Sequence, residues 1–257
     1  MIQKEKLEEN IHIGHRERMR EKILAGAADS FTDHEVLEFY LLGAYRQKDT
    51  NALAHSLISR FGSIKGVLDA SSEELCSVPM VGKGGAAYLK GMSELMRRYF
   101  NAENKKQQFD KLDQVGDFFV HQFIGFGKEN ICVLLLDNAM CYIDSCMMNE
   151  GSVNSAKFDQ TKLYQYAFGR NASNVIIAHN HPRGIAIPSE EDKNITSVLS
   201  VGLGHLGIKL VEHFVVADDR YTPIMRNSQF VSLKKISEEM LTFDEKEYIT
   251  GIAREIK

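Results

Sequence analysis

The sequence has no long hydrophobic run. Its longest uninterrupted apolar stretch is Ile131–Leu136, far below the ~20 residues a helix needs to cross a bilayer, so no membrane partner is expected. The opening M-I-Q-K-E-K-L-E-E-N lacks the apolar core of a secretion signal, and the expectation is a cytoplasmic protein. Cysteine is scarce. Cys76, Cys132, Cys141 and Cys146 form no C-x-x-C pair, which disfavours a disulfide-dense scaffold or a cysteine zinc site and leaves four reduced, structural thiols. A strong charge of one sign is also missing. Thirty-one Lys and Arg face 35 Asp and Glu for a net charge of −4, which argues against indiscriminate coating of polyanions but permits a local basic patch. No internal repeat is present. What remains, 44% hydrophobic and 26% charged residues, is the composition of a globular protein with a real core.

The periodicity changes part-way along the chain. Upstream, Val36, Leu37, Tyr40 and Leu41, then Leu53, Leu57, Ile58 and Phe61, recur at helical spacing. Thr32 with Glu35 and Ser71 with Glu74 have the spacing of helix capping boxes. The polar segment N-A-E-N-K-K-Q-Q-F-D-K, residues 101–111, reads as a linker. Downstream, the run Ile131–Leu136 reads as a buried strand with Cys141–Met148 as its hairpin partner. A helix through Leu163, Tyr166 and Ala167, a strand at 174–178, a helix from Ile195 to Leu206 and a strand at 209–217 complete an α/β pattern. The expected organisation is a small all-α domain over 1–100, a linker over 101–111, an α/β domain over 112–230 and an amphipathic helical tail over 231–257. The tail contains a Thr242/Glu245 capping box.

One stretch stands apart chemically: H-N-H-P-R-G-I-A-I-P-S-E-E-D, His179 to Asp192. His179 and His181 are two residues apart at a strand end, so both imidazoles leave on one face. Asp192 lies three residues after Ser189, in the first turn of the next helix, where its carboxylate can return to the same point. Two imidazole nitrogens and one carboxylate oxygen suit Zn²⁺ and leave a fourth position for water. The bland alternative is a hydrogen-bonded strand-end histidine beside a simple Ser189/Asp192 capping box. The zinc deaminase pattern, H-x-E followed by P-C-x-x-C, is absent.

H-x-H, seven residues, Ser, two residues, Asp resembles the JAMM motif of JAB/MPN metalloproteases. His-Asn-His-Pro, G-S-V-N-S at 151–155, A-S-N-V-I-I-A, L-V-E-H-F-V-V and, upstream, G-H-R-E-R-M-R-E-K-I-L and F-G-S-I-K-G-V-L-D-A-S are similar to the RadC branch. The resemblance runs roughly from Gly14 to Arg226. It implies a mixed sheet flanked by helices with deaminase-like layering, one Zn²⁺ on His179, His181 and Asp192, and hydrolysis of an amide or isopeptide bond by a metal-activated water. In that scheme Glu129, just before the first strand, shuttles the proton and Glu150 is the competing candidate, while Ser189 steadies the oxyanion. His213 would support the site from beneath rather than act as a fourth ligand. Asn180 replaces the Ser or Thr of the peptidase branches, which puts de-ubiquitinase-like specificity in doubt. The substrate would be an unidentified protein or peptide, with Arg183 and Tyr164 as candidate contacts.

A second thread concerns DNA. Residues 74–87, E-L-C-S-V-P-M-V-G-K-G-G-A-A, resemble a helix-hairpin-helix, with Gly82, Lys83, Gly84 and Lys90 as candidate phosphate contacts. Met80 stands where the hairpin's first glycine is usual. Residues 78–106 carry six Lys and Arg (Lys83, Lys90, Arg97, Arg98, Lys105 and Lys106) against Glu94 and Glu103. The partner would be duplex DNA, bound without sequence preference and with strong salt dependence. The alternative function is therefore a DNA-binding accessory protein whose metal site is structural or vestigial, with DNA repair as the role attached to the family name.

Overall fold

A computed structural model describes residues 14–45, 49–102, 107–109, 111–148, 159–182 and 184–226. Glu150, the 151–155 segment, Arg183 and the expected tail helix lie outside the described residues. The chain divides into two compact units, Met1–Glu94 and Leu95–Lys257.

The first unit is helical. Residues 14–24 form α1, followed by α2 (Asp33–Leu41), α3 (Thr50–Phe61), α4 (Ile64–Asp69) and α5 (Ser72–Cys76). The capping boxes at Thr32/Glu35 and Ser71/Glu74 form as the spacing predicts, and Asp49 caps α3 by accepting from the Asn51 and Ala52 amides. Leu37, Leu41, Leu53, Leu57, Val67 and Leu75 make the core, joined by Leu89 of the long helix α6 (Lys83–Phe100). Val36, at the edge of the expected apolar face, is exposed. The division between units falls within α6, ahead of the 101–111 segment. At the far end of that segment Phe109 is buried, its amide donating to Met140 O, and Gln108 forms a bridge with Cys141.

The second unit has a five-stranded mixed sheet in the order β2-β1-β3-β4-β5. These are β1 (Ile131–Leu136), β2 (Tyr142–Met148), β3 (Asn174–Asn180), β4 (Lys209–Ala217) and β5 (Arg220–Pro223). β1 runs antiparallel to β2 and β3, β3 is parallel to β4, and β5 closes an antiparallel hairpin. Helix α7 (Leu112–Gln122) covers one face through Val115, Phe118 and Phe119, which pack on Cys132, Leu134, Ile176 and Phe214. Helices α8 (Gln160–Gly169) and α9 (Glu190–His205) cover the other, where Leu163, Tyr164, Leu199 and Leu203 meet Ile131, Val133, Val175 and Ile177. Covering both faces is why β1 is apolar at every position rather than alternating. The parallel β3-α9-β4 crossover sends the end of β3 and the start of α9 to the same edge of the sheet, which sets the candidate site.

Candidate metal centre

β3 ends in His179 and Asn180, and His181 follows, its amide held by Val216 O of β4 at 2.7 Å. The loop then reaches Ser189, the N-cap of α9. His179, His181 and Asp192 offer ligand atoms that all lie within 4.8 Å of one another, the one such cluster among the described residues. The two Nε2 atoms are 3.0 Å apart, and His179 Nε2 is 3.2 Å from Asp192 Oδ1. His181 Nδ1 lies 3.1 Å from Ile185 O, a pure acceptor, so it carries the ring hydrogen and Nε2 presents a lone pair to the cluster.

Asp192 performs both tasks that the spacing allows, one with each oxygen. Oδ2 completes the capping box, accepting from the Ser189 amide at 2.8 Å and the Ser189 hydroxyl at 2.7 Å, while Asp192 N donates to Ser189 Oγ at 3.1 Å. Oδ1 is buried with no hydrogen-bond partner. Burial pushes the Asp192 carboxyl up, but His179 beside it and the Ser189 amide and hydroxyl outweigh that and hold it well below the usual carboxylate range. A buried carboxylate oxygen without a hydrogen-bond donor, beside His179 Nε2 while His181 Nε2 lies 3.8 Å from the other oxygen, costs free energy unless a cation completes the group. The donor set fits a divalent transition metal with three protein ligands.

His213 sits beneath the ligands, fully buried on β4, with Nε2 2.8 Å from His179 Nδ1. Burial and the neighbouring His179 depress its basicity well below the ordinary histidine value, so the ring is neutral. Its Nδ1 is 2.5 Å from Thr196 Oγ1, and that hydroxyl donates to Asp192 O at 2.5 Å. Thr196 was not singled out from the sequence, although it stands one helical turn after Asp192 on the same face of α9.

The RadC-like JAB domain family matches residues 109–230. A UPF0758 protein of Pseudoalteromonas atlantica is 32% identical over 203 residues, covering 79% of this chain and 91% of that protein. The chain belongs to the RadC family. Its mixed sheet with helices on both faces is the fold expected of that family's JAB domain.

In this RadC-family chain Glu129 lies just before β1. It is half-buried, two residues before the first paired residue of β1, Ile131, which stands opposite His179. Asn180 organises that segment. Its Oδ1 accepts from Asn130 N at 2.7 Å and its Nδ2 donates to Phe126 O and Lys128 O, both at 3.1 Å. The residue between the histidines thus ties the Glu129 segment to β3, a role no local spacing announces. Ser189, expected to steady an oxyanion, commits its hydroxyl hydrogen to Asp192 here. Tyr164, a candidate substrate contact, is 3% exposed in the α8/α9 core and packs over Gly202, so it does not line an open surface.

The DNA candidates fall at the head of α6. Gly82, Lys83 and Gly84 are exposed. Lys90 is turned elsewhere, donating from Nζ to Leu68 O at 2.8 Å and Ala70 O at 3.1 Å around the end of α4. Met80 adopts φ 72° in the turn closed by Val81 N to Val78 O, with Pro79 before it. That is a type II turn, in which glycine is favoured at the position Met80 fills. No helix among the described residues is long and apolar enough to cross a membrane.

Proposed function

We propose that this RadC-family protein is a zinc-dependent hydrolase of JAMM type that cleaves an amide or isopeptide bond in a protein or peptide in the cytoplasm. The observation that carries the reading is the Asp192 Oδ1 without a hydrogen-bond partner, 3.2 Å from His179 Nε2, with His181 Nε2 3.0 Å from that same nitrogen. Those three side chains would hold the metal, and when bound it supplies a Lewis acid that makes water a nucleophile near neutral pH. Glu129, half-buried just before the β1 residue that pairs with His179, takes the proton from the attacking water and returns it to the leaving nitrogen. The Ser189 hydroxyl can steady the oxyanion only by turning its hydrogen away from Asp192 Oδ2. The test is metal analysis of the full chain purified without chelators, then turnover of isopeptide and peptide libraries. About one zinc per chain, kept by Glu129→Gln while turnover disappears, supports the reading; absence of zinc defeats it.

For the helical unit the second reading is sequence-independent duplex DNA binding, favoured by the left-handed Met80 turn beside exposed Lys83 and Gly84. A salt titration of duplex binding with Lys83→Glu decides it, and no affinity at low salt removes it.

A further inference from the structure

We propose that Thr196 and His213 are positioning residues that select the tautomer of His179, so that its Nε2 faces the metal site as a bare lone pair; this rests on the metal reading above. The hydrogen order is fixed from one end. A backbone carbonyl only accepts, so the Thr196 hydroxyl hydrogen points at Asp192 O. Thr196 Oγ1 is then the acceptor for His213, whose hydrogen must sit on Nδ1 across the 2.5 Å contact. His213 Nε2 is left bare and accepts from His179 Nδ1–H at 2.8 Å. With a hydrogen fixed on Nδ1, Nε2 is the nitrogen of His179 left to serve as a ligand, where it meets His181 Nε2 and Asp192 Oδ1.

The relay closes on itself. Asp192 contributes its carboxylate on the site side and, through its own carbonyl, the acceptor that starts the chain on the other, so the backbone of one ligand orients the ring of another. Thr196, His213 and His179 are all at most 1% exposed, which leaves the choice of tautomer to these contacts. A hydrogen bond to the distal nitrogen of a ligating histidine fixes ring orientation and raises ligand basicity.

Thr196→Val keeps the shape and removes the hydroxyl. His213 Nδ1–H then has no acceptor, so its hydrogen is better placed on Nε2, donating to His179 Nδ1. His179 must then carry its own hydrogen on Nε2, inside the site. Two measurements on the full chain test this: ¹⁵N NMR of the metal-free, histidine-labelled protein, which reads each tautomer, and zinc affinity by competition with a chromophoric chelator. The expected result is Nδ1–H at His179 and His213 in the wild type, inversion of both in Thr196→Val with zinc bound about 10- to 100-fold more weakly, and recovery in Thr196→Ser. An Nε2–H tautomer at His179 in the wild type, or unchanged zinc affinity in Thr196→Val, overturns the proposal. A wild type that binds no zinc removes the hydrolase reading, while its NMR spectrum still decides the relay by itself. The same spectrum decides it if the valine variant fails to fold.

Discussion

Asp192 gives one carboxylate oxygen to the α9 cap and leaves the other for the histidines, so the two readings of S-x-x-D in the sequence are both realised by one side chain. Asp192→Asn should separate them: an amide oxygen can still cap α9, but an amide N–H₂ facing two imidazoles is a poor ligand. The variant should lose zinc in metal analysis while its stability to urea changes by no more than about 1 kcal/mol, the scale of a weakened cap. His179, His181, Ser189 and Asp192 were legible because their relations span two or three residues. His213 was expected beneath the site only through the family resemblance, and the contacts of Thr196 with His213, 17 residues away, and of Asn180 with Phe126, 54 residues away, are brought together only by the fold. Glu212 illustrates a different residue-scale effect. It is 2% exposed, and burial raises its carboxyl, opposed by hydrogen bonds from the Met225 and His213 amides and by Arg226. Its folded value lies above the unfolded 4.5, so its contribution to stability is fully present below that pH and is lost as pH rises through the folded value. Glu212→Gln imitates the protonated form. It should match the wild type near pH 4.5 in urea unfolding and become the more stable of the two toward pH 7; a gap that does not widen with pH would show that burial is not what Glu212 feels.

Among the elements, those with strong local patterns were readable: β1 at Ile131–Leu136, its β2 partner, β4 at Lys209–Ala217 and the capped starts of α2, α5 and α9. β5 was not, because four residues, R-Y-T-P, carry no alternation and gain strand geometry only by pairing with β4. Phe109 escaped for the same reason, being one apolar residue in a polar stretch whose burial depends on Met140 in the turn between β1 and β2. Helix approach supplies the test at this scale. A Cβ on Gly202 of α9 would sit 2.1 Å from Tyr164 Oη and 2.6 Å from its Cζ, so the α8/α9 packing behind the metal centre requires glycine there. Gly202→Ala should cost about 1–3 kcal/mol by overpacking. Removing the offending hydroxyl in Gly202→Ala/Tyr164→Phe should recover part of that in urea unfolding. Additive costs in the double variant would mean that the strain arises elsewhere.

For the whole molecule, the net charge of −4 averages a basic stretch at 78–106, which spans the boundary between the two units, with an acidic remainder. The glycine turn and Lys83 belong to Met1–Glu94; all three candidate metal ligands, with His213 and Thr196, belong to Leu95–Lys257. Metal binding should stabilise the chain where it relieves a native cost, and the clustered acceptors around Asp192 Oδ1 are that cost. A ligand that binds only the native state adds RT ln(1 + [L]/Kd), about 2.7 kcal/mol at a hundredfold excess over Kd. That free energy acts on whatever unfolds together with the ligands. If the units open separately, zinc should slow hydrogen exchange in the β3, β4 and α9 peptides and leave those of α2 to α5 unchanged. Helix α6 is the one described element shared between the units, so its peptides report the coupling: protection confined to its last turns means two independent foldons. Equal protection through α2 to α5 would instead show that zinc stabilises the whole chain as one cooperative body, and a mutation in either unit would then be felt at the metal.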